Sequence, residues 1–272
     1  MAPDNNSDIP LQFDIGQPVP RTEDTRLLTG GGEYTDDTNI DGQAYLWFVR
    51  STIAHGDINS IDIADASSMP GVLAIYTGAN LRADGIGNIP SGLPLKNRDG
   101  SGYIVPPRTG LAVGRVRHVG EAITAVIAET AIQAQEAAEA VTVDLSALPV
   151  VTGTEDAGKD GVPQLHEEAP GNVCLDFFVG DAEATEKAFA EAAHVTSLRI
   201  DNTRMVVNTI EPRSIIGQYD ATSERFTIHM PSQGVMGPKN VLAKSIFKVD
   251  PDKFRVISND VGGSFGMKGA AF

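Results

Sequence analysis

Segments of strand and helix character follow one another in turn between residues 42 and 145, an order that few architectures accommodate. Residues 42–51 are aromatic-rich and bounded by turn formers, which predicts a strand. Residues 64–69 read as a short helix stopped by Pro70-Gly71, and 72–76 as a buried strand. Residues 84–110 are crowded with Gly, Pro, Asn and Asp, which marks a long loop or lid. A strand over 122–128 leads into an Ala- and Glu-rich helix over 130–141, with Thr130 at its N-cap, and 141–145 returns as a strand. The pattern is that of an α+β (mixed α/β) domain over 25–151, preceded by a polar N-terminal tail over 1–24.

A Gly-, Asp-, Glu- and Pro-rich stretch over 152–171 reads as a linker wrapping the surface. Beyond it, 182–193 carries good helix formers behind Asp181 as N-cap. Strands are expected at 194–202, 215–219 and 226–230. Pro238 suits a first helical position, opening a helix to about residue 247. The strand over 254–260 then runs directly into Gly262-Gly263-Ser264-Phe265-Gly266-Met267-Lys268-Gly269.

Composition removes several classes of function. A net charge of −15 argues against a phosphate-backbone partner, which needs clustered Lys and Arg. The single cysteine, Cys174, forms no intrachain disulfide and ligates no iron–sulfur cluster alone; in its apolar context it reads as a small buried hydrophobe. The five histidines are scattered, with no pair at helical metal-ligand spacing, so a self-contained zinc site is not expected. No apolar run approaches the roughly 20 residues that a spanning helix needs. The first residues lack a basic patch followed by an apolar stretch, so a cytoplasmic location is expected.

The sharpest local feature is the glycine loop 262–269. Glycines let a backbone approach a ligand closely and reach positive φ, so successive N–H groups can converge on an anion or oxo group. The glycine spacing is not that of the dinucleotide fingerprint, and Met267 stands where a phosphate-binding loop needs glycine before Lys268. Taken alone, the loop is also compatible with an ordinary structural turn.

Five segments in register set that turn in a context. Pro20-Arg21-Thr22-Glu23-Asp24 with 27–37 resembles the opening of the molybdopterin-binding large subunit of the xanthine dehydrogenase, aldehyde oxidase and carbon monoxide dehydrogenase family. Residues 115–122 through 143–150 are similar to the end of that subunit's a/b hammerhead domain. Asn208-Thr209-Ile210-Glu211-Pro212-Arg213 resembles its Met-Glu-Pro-Arg stretch, and Pro231-Ser232-Gln233-Gly234 and Gly262-Gly263-Ser264-Phe265-Gly266 resemble its first two cofactor-contacting segments. The fold implied is a hammerhead domain over 25–151, then the first, incomplete molybdopterin-binding segment over 172–272.

The resemblance carries roles to particular residues. Gln233 matches the glutamine whose carboxamide points at a molybdenum oxo ligand, and an amide N–H is a suitable neutral donor there; the plainer alternative is a surface amide at a strand end. Phe265 and Gly266 match the pair lining the metal, the ring walling the substrate pocket, and Gly262, Gly263 and Ser264 shape the approach. The alternative for Phe265 is an ordinary core aromatic. Ser264 replaces a commoner glycine and is tolerated if it avoids positive φ. Glu211 and Arg213 look like a buried ion pair giving structural support beneath the site.

The function implied is that of a molybdopterin-dependent oxidoreductase subunit, not active alone. The reaction implied is oxidative hydroxylation of an aldehyde or N-heterocycle with water as oxygen source. No catalytic residue is expected in this chain, since the base belongs near the far C-terminal end of the large subunit. The cofactor implied is Mo-molybdopterin in its cytosine dinucleotide form. The partners implied are the remaining molybdopterin-binding chain, an iron–sulfur subunit with [2Fe-2S] and an FAD subunit. Either a split gene or truncation accounts for such a chain.

Two positions depart from relatives. Asn208 stands where histidine is common, and Gly269 where purine hydroxylases carry a substrate-binding glutamate, which weakens a purine substrate. Carbon monoxide is disfavoured too, because its bimetallic site needs a cysteine loop missing from 1–272. The competing reading is a non-catalytic scaffold or binding module that keeps the fold without cofactor.

Overall fold

The computed structural model describes residues 20–203 and 205–269, together with Gly16. Most of the polar tail expected over 1–24 lies outside the described residues, as do the last three residues of the molybdopterin-binding segment.

A short helix α1 (Asp24–Leu28) precedes the strand–helix alternation. That alternation forms as β1 (Tyr45–Arg50), β2 (Gly56–Asp62), α2 (Ala64–Ser67), β3 (Val72–Thr77) and α3 (Gly78–Ala83), followed by β4 (Arg115–Val116), β5 (Ala122–Ala128), α4 (Ala131–Ala140) and β6 (Thr142–Ala147). Two antiparallel three-stranded sheets result, in the orders β1-β5-β3 and β4-β2-β6. α4 starts where Thr130 takes an extended backbone and its hydroxyl accepts the Gln133 N–H at 3.2 Å, meeting one of the donors a helix start leaves unpaired. Its buried positions are Ala134, Ala137 and Ala138, one helical face at i, i+3 and i+4, which packs with Ala66, Val126 and Val141 into the main core. A second core, Ala112, Val116 and Ile123, lies beneath Ile58, Ile61 and Leu145.

The second region opens with α5 (Ala182–Glu191), capped by Asp181, whose carboxylate accepts the Ala184 N–H at 2.9 Å. The strand expected over 194–202 does not form. No described strand pairs with this segment, and its apolar residues Leu198 and Ile200 stand exposed. A strand exists only when its N–H and C=O groups find a partner, and alternation alone supplies none.

Further on, β7 (Ile216–Asp220) pairs antiparallel with β8 (Arg225–His229), and β9 (Phe254–Ile257) pairs parallel with β8. A parallel neighbour requires a crossover. Here it is α6 (Met236–Asn240), which widens into a π-helix over Val241–Phe247 and ends at Lys248 in the left-handed region. The helix starts two residues before Pro238, not at it; Pro238 still sits in the first turn, where its missing N–H costs nothing. The core beneath is Ile228, Ala243 and Phe254.

The long loop over 84–110 stitches the two regions together. The Gly87 N–H donates to the Ile246 carbonyl at 2.8 Å, Lys248 Nζ to the Gly85 carbonyl at 2.9 Å, and the Arg98 and Ile104 N–H groups to the carbonyls of Asp176 and Cys174. Gly87 is required by that approach, since a Cβ there would lie 1.9 Å from the Ser245 carbonyl oxygen. Among the described residues no helix is long and apolar enough to cross a membrane.

Candidate functional site

β9 delivers the chain to Asp260, and the glycine loop begins two residues later. Asp260 is gripped from the N-terminal side of the molecule. The Arg26 guanidinium donates to both of its carboxylate oxygens at 2.7 Å, the Glu33 N–H donates to Oδ2 at 2.8 Å, and the Asp260 N–H donates back to the Glu33 carbonyl. These bonds, that from Arg26 first, pull the Asp260 carboxyl down to about 2.

Glu211 sits below the loop and holds both of its ends. Its Oε2 accepts the Gly262 N–H at 2.7 Å and the Lys268 ammonium at 2.8 Å, while the Glu211 N–H donates to the Gly262 carbonyl. Only glycine fits at 262, because a Cβ there would lie 2.5 Å from Cβ of Glu211. Lys268 is buried to the last methylene, its side chain 0% exposed. The ion pair of Glu211 is therefore with Lys268, not with Arg213. Arg213 donates instead to the Met267 carbonyl from Nε and Nη2 at 3.2 and 3.0 Å, and partial burial lowers its guanidinium pKa from the usual value. Glu211 and Arg213 thus address opposite sides of one turn: one takes its ammonium and first N–H, the other its carbonyl.

Between those anchors the backbone is contorted. Gly263, Phe265 and Gly266 have φ of 96°, 50° and 87°, whereas Ser264 stays out of the positive region, as its side chain requires. The Met267 N–H closes a turn onto the Ser264 carbonyl, and the Lys268 N–H is received by the Ser264 hydroxyl. The N–H groups of Gly263, Ser264, Phe265 and Gly266 donate to no acceptor among the described residues. Four successive free donors on a turn of mixed-sign φ form a concave positive surface suited to an anion or an oxo group. Phe265 is 80% exposed, which removes the reading of a core aromatic. Its ring folds back toward Gly263, where a Cβ would meet Cε2 at 3.2 Å.

Gln233 comes to the same turn from the end of β8. Its N–H donates to the Lys268 carbonyl at 3.1 Å, an oxygen that also receives the Ser232 hydroxyl at 3.4 Å. Its carboxamide is exposed and hydrogen-bonds to nothing among the described residues. The amide stands beside Gly269, where a Cβ would come within 3.1 Å of Oε1. The structure therefore gathers Gln233, Gly262, Gly263, Ser264, Phe265, Gly266 and Glu211 at one place. Arg213 touches the turn from outside, and Asn208 is exposed and takes no part in the network. Among the described residues no group of three or more His, Cys, Asp or Glu is placed to hold a metal ion.

Two contributors escape a reading of the sequence. Lys268 registers only as the misplaced lysine of a phosphate loop, although a cation inside an otherwise neutral glycine turn signals either solvation or a buried partner. The Arg26–Asp260 clamp spans 234 residues and has no local signature.

Residues 29–149 match the family model "Aldehyde oxidase and xanthine dehydrogenase, a/b hammerhead domain", and residues 165–272 match "Molybdopterin cofactor-binding domain". The chain is 35% identical over 260 residues to the nicotine 6-hydroxylase large subunit of Paenarthrobacter nicotinovorans, covering 95% of this chain and 30% of that protein. Among solved structures, quinoline 2-oxidoreductase from Pseudomonas putida 86 superposes with a TM-score of 0.81 at 30% identity, over 92% of this chain and 31% of that one. Reconstituted CO dehydrogenase from Oligotropha carboxidovorans gives a TM-score of 0.83 at 27% identity, over 94% and 32%. The chain thus spans about a third of the length of the relatives it matches. With hammerhead and cofactor-binding parts matched in the order that the fold displays, the chain belongs to the molybdopterin-binding large-subunit family of the molybdenum hydroxylases.

Proposed function

We propose that this chain forms one wall of a Mo-molybdopterin site in an enzyme that hydroxylates an aldehyde or N-heterocycle, with water as the oxygen source. The observation that carries the reading is the run of four free N–H groups, Gly263 to Gly266, beside the uncommitted carboxamide of Gln233. Residues free of internal partners at a sheet end, on a backbone that only strong anchoring maintains, are built to be completed by a ligand.

When bound, the cofactor supplies the two-electron redox chemistry and the Lewis acidity. The chain's own part is positioning. The Gln233 carboxamide donates a neutral hydrogen bond to an oxo group, so it orients without moving a proton. The loop N–H groups of Gly263, Ser264, Phe265 and Gly266 give fixed dipoles to the ligand's negative oxygens, and fixed dipoles need no reorganisation during reaction. The Phe265 ring, exposed on the rim, excludes water and limits the approach of a planar substrate. Glu211 and Arg213 hold the turn from either side, away from any reacting atom. Glu211 and Lys268 are committed to each other beneath the turn, so their part is structural.

In this reading 25–151 is the hammerhead unit, 152–171 a linker and 172–272 the first cofactor-binding segment. The cofactor is the cytosine dinucleotide form. The partners are an FAD subunit and a [2Fe-2S] subunit, together in the cytoplasm. Two relatives named for nicotine and quinoline favour an N-heterocycle over an aldehyde.

The test is Gln233→Ala in the assembled, metal-loaded enzyme. Turnover should fall roughly 10–100-fold while molybdenum content holds, the range for losing a group that orients a metal's ligands. Unchanged turnover would sink the role given to Gln233, and an assembly that takes up no molybdenum would favour a scaffold that keeps the fold without cofactor.

A further inference from the structure

We infer that Glu211 and Lys268 are a positioning pair that shapes the glycine loop before any ligand arrives. The inference rests on the loop being the cofactor wall, as proposed above. Removing two charges from water is costly, and their mutual attraction offsets that only with good geometry and further hydrogen bonds. Here the compensation is incomplete. Among the described residues, Lys268 Nζ has three protons and one partner, and Oε1 of Glu211 is buried without any. A pair so arranged is poor as a stability device, and its worth lies in what it fixes.

What it fixes is legible in its contacts. One oxygen, Glu211 Oε2, receives both the first N–H of the loop, from Gly262, and the side chain of its seventh residue, Lys268. The two ends are thereby pinned to a single point, and the intervening residues must close a short circuit between them. The main chain of Lys268 extends the same knot: its N–H reaches the Ser264 hydroxyl at 3.1 Å, and its carbonyl receives the Gln233 N–H at 3.1 Å. A phenylalanine at φ 50° is unfavourable for a free peptide and persists only where the surroundings over-determine it. Glu211, Lys268 and Ser264 are those surroundings. The same lysine thus sets the loop N–H groups and the backbone of Gln233 in one frame. The pair touches no reacting atom and acts through the loop.

The experiment compares Glu211→Gln, Lys268→Met and the double variant in the native assembly, prepared with and without molybdopterin. Either single change strands a buried group and can prevent folding, so the double variant carries the test. Gln keeps an acceptor for the Gly262 N–H, and Met fills the space of the lysine stem. The double variant should assemble and melt close to wild type. Its bonded amides at Met267, Lys268 and Gly269 should exchange with deuterium about tenfold faster, with or without cofactor. The molybdenum it retains should fall roughly 10-fold, and the electron paramagnetic resonance line shape of the reduced metal should change.

A folded double variant with wild-type loop exchange and an unaltered resonance overturns the pairing role and leaves the cofactor reading intact. A faster-exchanging loop in an assembly whose wild-type form never takes up molybdopterin supports the pairing role and overturns the cofactor reading instead.

Discussion

The hammerhead region packs α4 onto β1 and β5 through alanines, whereas the second region packs its crossover onto β8 and β9 through aromatic rings. Ala66, Ala134, Ala137 and Ala138 are at most 6% exposed and let helix and sheet approach closely. In the other core Phe226 stacks on Phe254 at 4.7 Å, Phe247 closes the triangle at 5.2 and 5.3 Å, and Tyr219 leans on Phe226 from outside. The small-residue core is spread over α2, α4 and the strands β1, β2, β3, β5 and β6. The ring core is compact and sits beneath the strand that carries the glycine loop. One core therefore fails by being filled, the other by being emptied.

The largest effect should come from emptying. Phe254 is 1% exposed and joins β9 to β8 and to the π-helix. Phe254→Ala should cost about 3–5 kcal/mol, read as a lower urea midpoint of the second region by amide exchange over 225–257. Trp47, the single tryptophan, lies on β1 and reports the first region by its fluorescence. If its transition shifts as far as that of β8 and β9, the two cores unfold as one and the contrast collapses.

Filling should cost less. Ala137 is fully buried on the sheet-facing side of α4, and Ala137→Leu adds three carbons to a close-packed interior. The expected loss is about 1–3 kcal/mol, seen in the Trp47 transition. The same exchange at exposed Ala182, on the first turn of α5, serves as control and should change nothing measurable. Equal losses at both positions would mean that the cost is not one of packing.

These two cores were readable to different depths. The period and caps of α4 and α5 are local, so Thr130 and Asp181 identify their helix starts from sequence alone. The run of glycines after β9 is equally plain, but its ligand-facing reading comes from the resemblance over five segments and not from the loop alone. What stayed hidden is long-range pairing. Glu211 has a nearby cation at Arg213 and takes a distant one at Lys268, because 57 residues of chain return the lysine beneath it. Residues 194–202 show the reverse failure: they read as a strand, and no described strand pairs with them.

The smallest effect distinguishes the anchors of the loop from one another. The Glu211–Lys268 pair is buried, but the Arg26–Asp260 clamp is not: the Arg26 side chain is 45% exposed. Its worth in stability is therefore screened by water and salt, and its signature is a pH window. The folded Asp260 carboxyl lies at about 2, below its ordinary 3.8, so the unfolded chain takes up the proton first. The clamp's contribution is then whole above about pH 4 and is lost as pH falls toward about 2. Asp260→Asn should lower the midpoint slightly near neutral pH, where the clamp is whole, and the two proteins should converge as pH falls toward about 2. The Glu33 amide, which donates to Asp260, should lose its exchange protection in the variant at every pH. An Asp260→Asn protein with the same acid-dependent decline as wild type would assign that decline to other carboxylates.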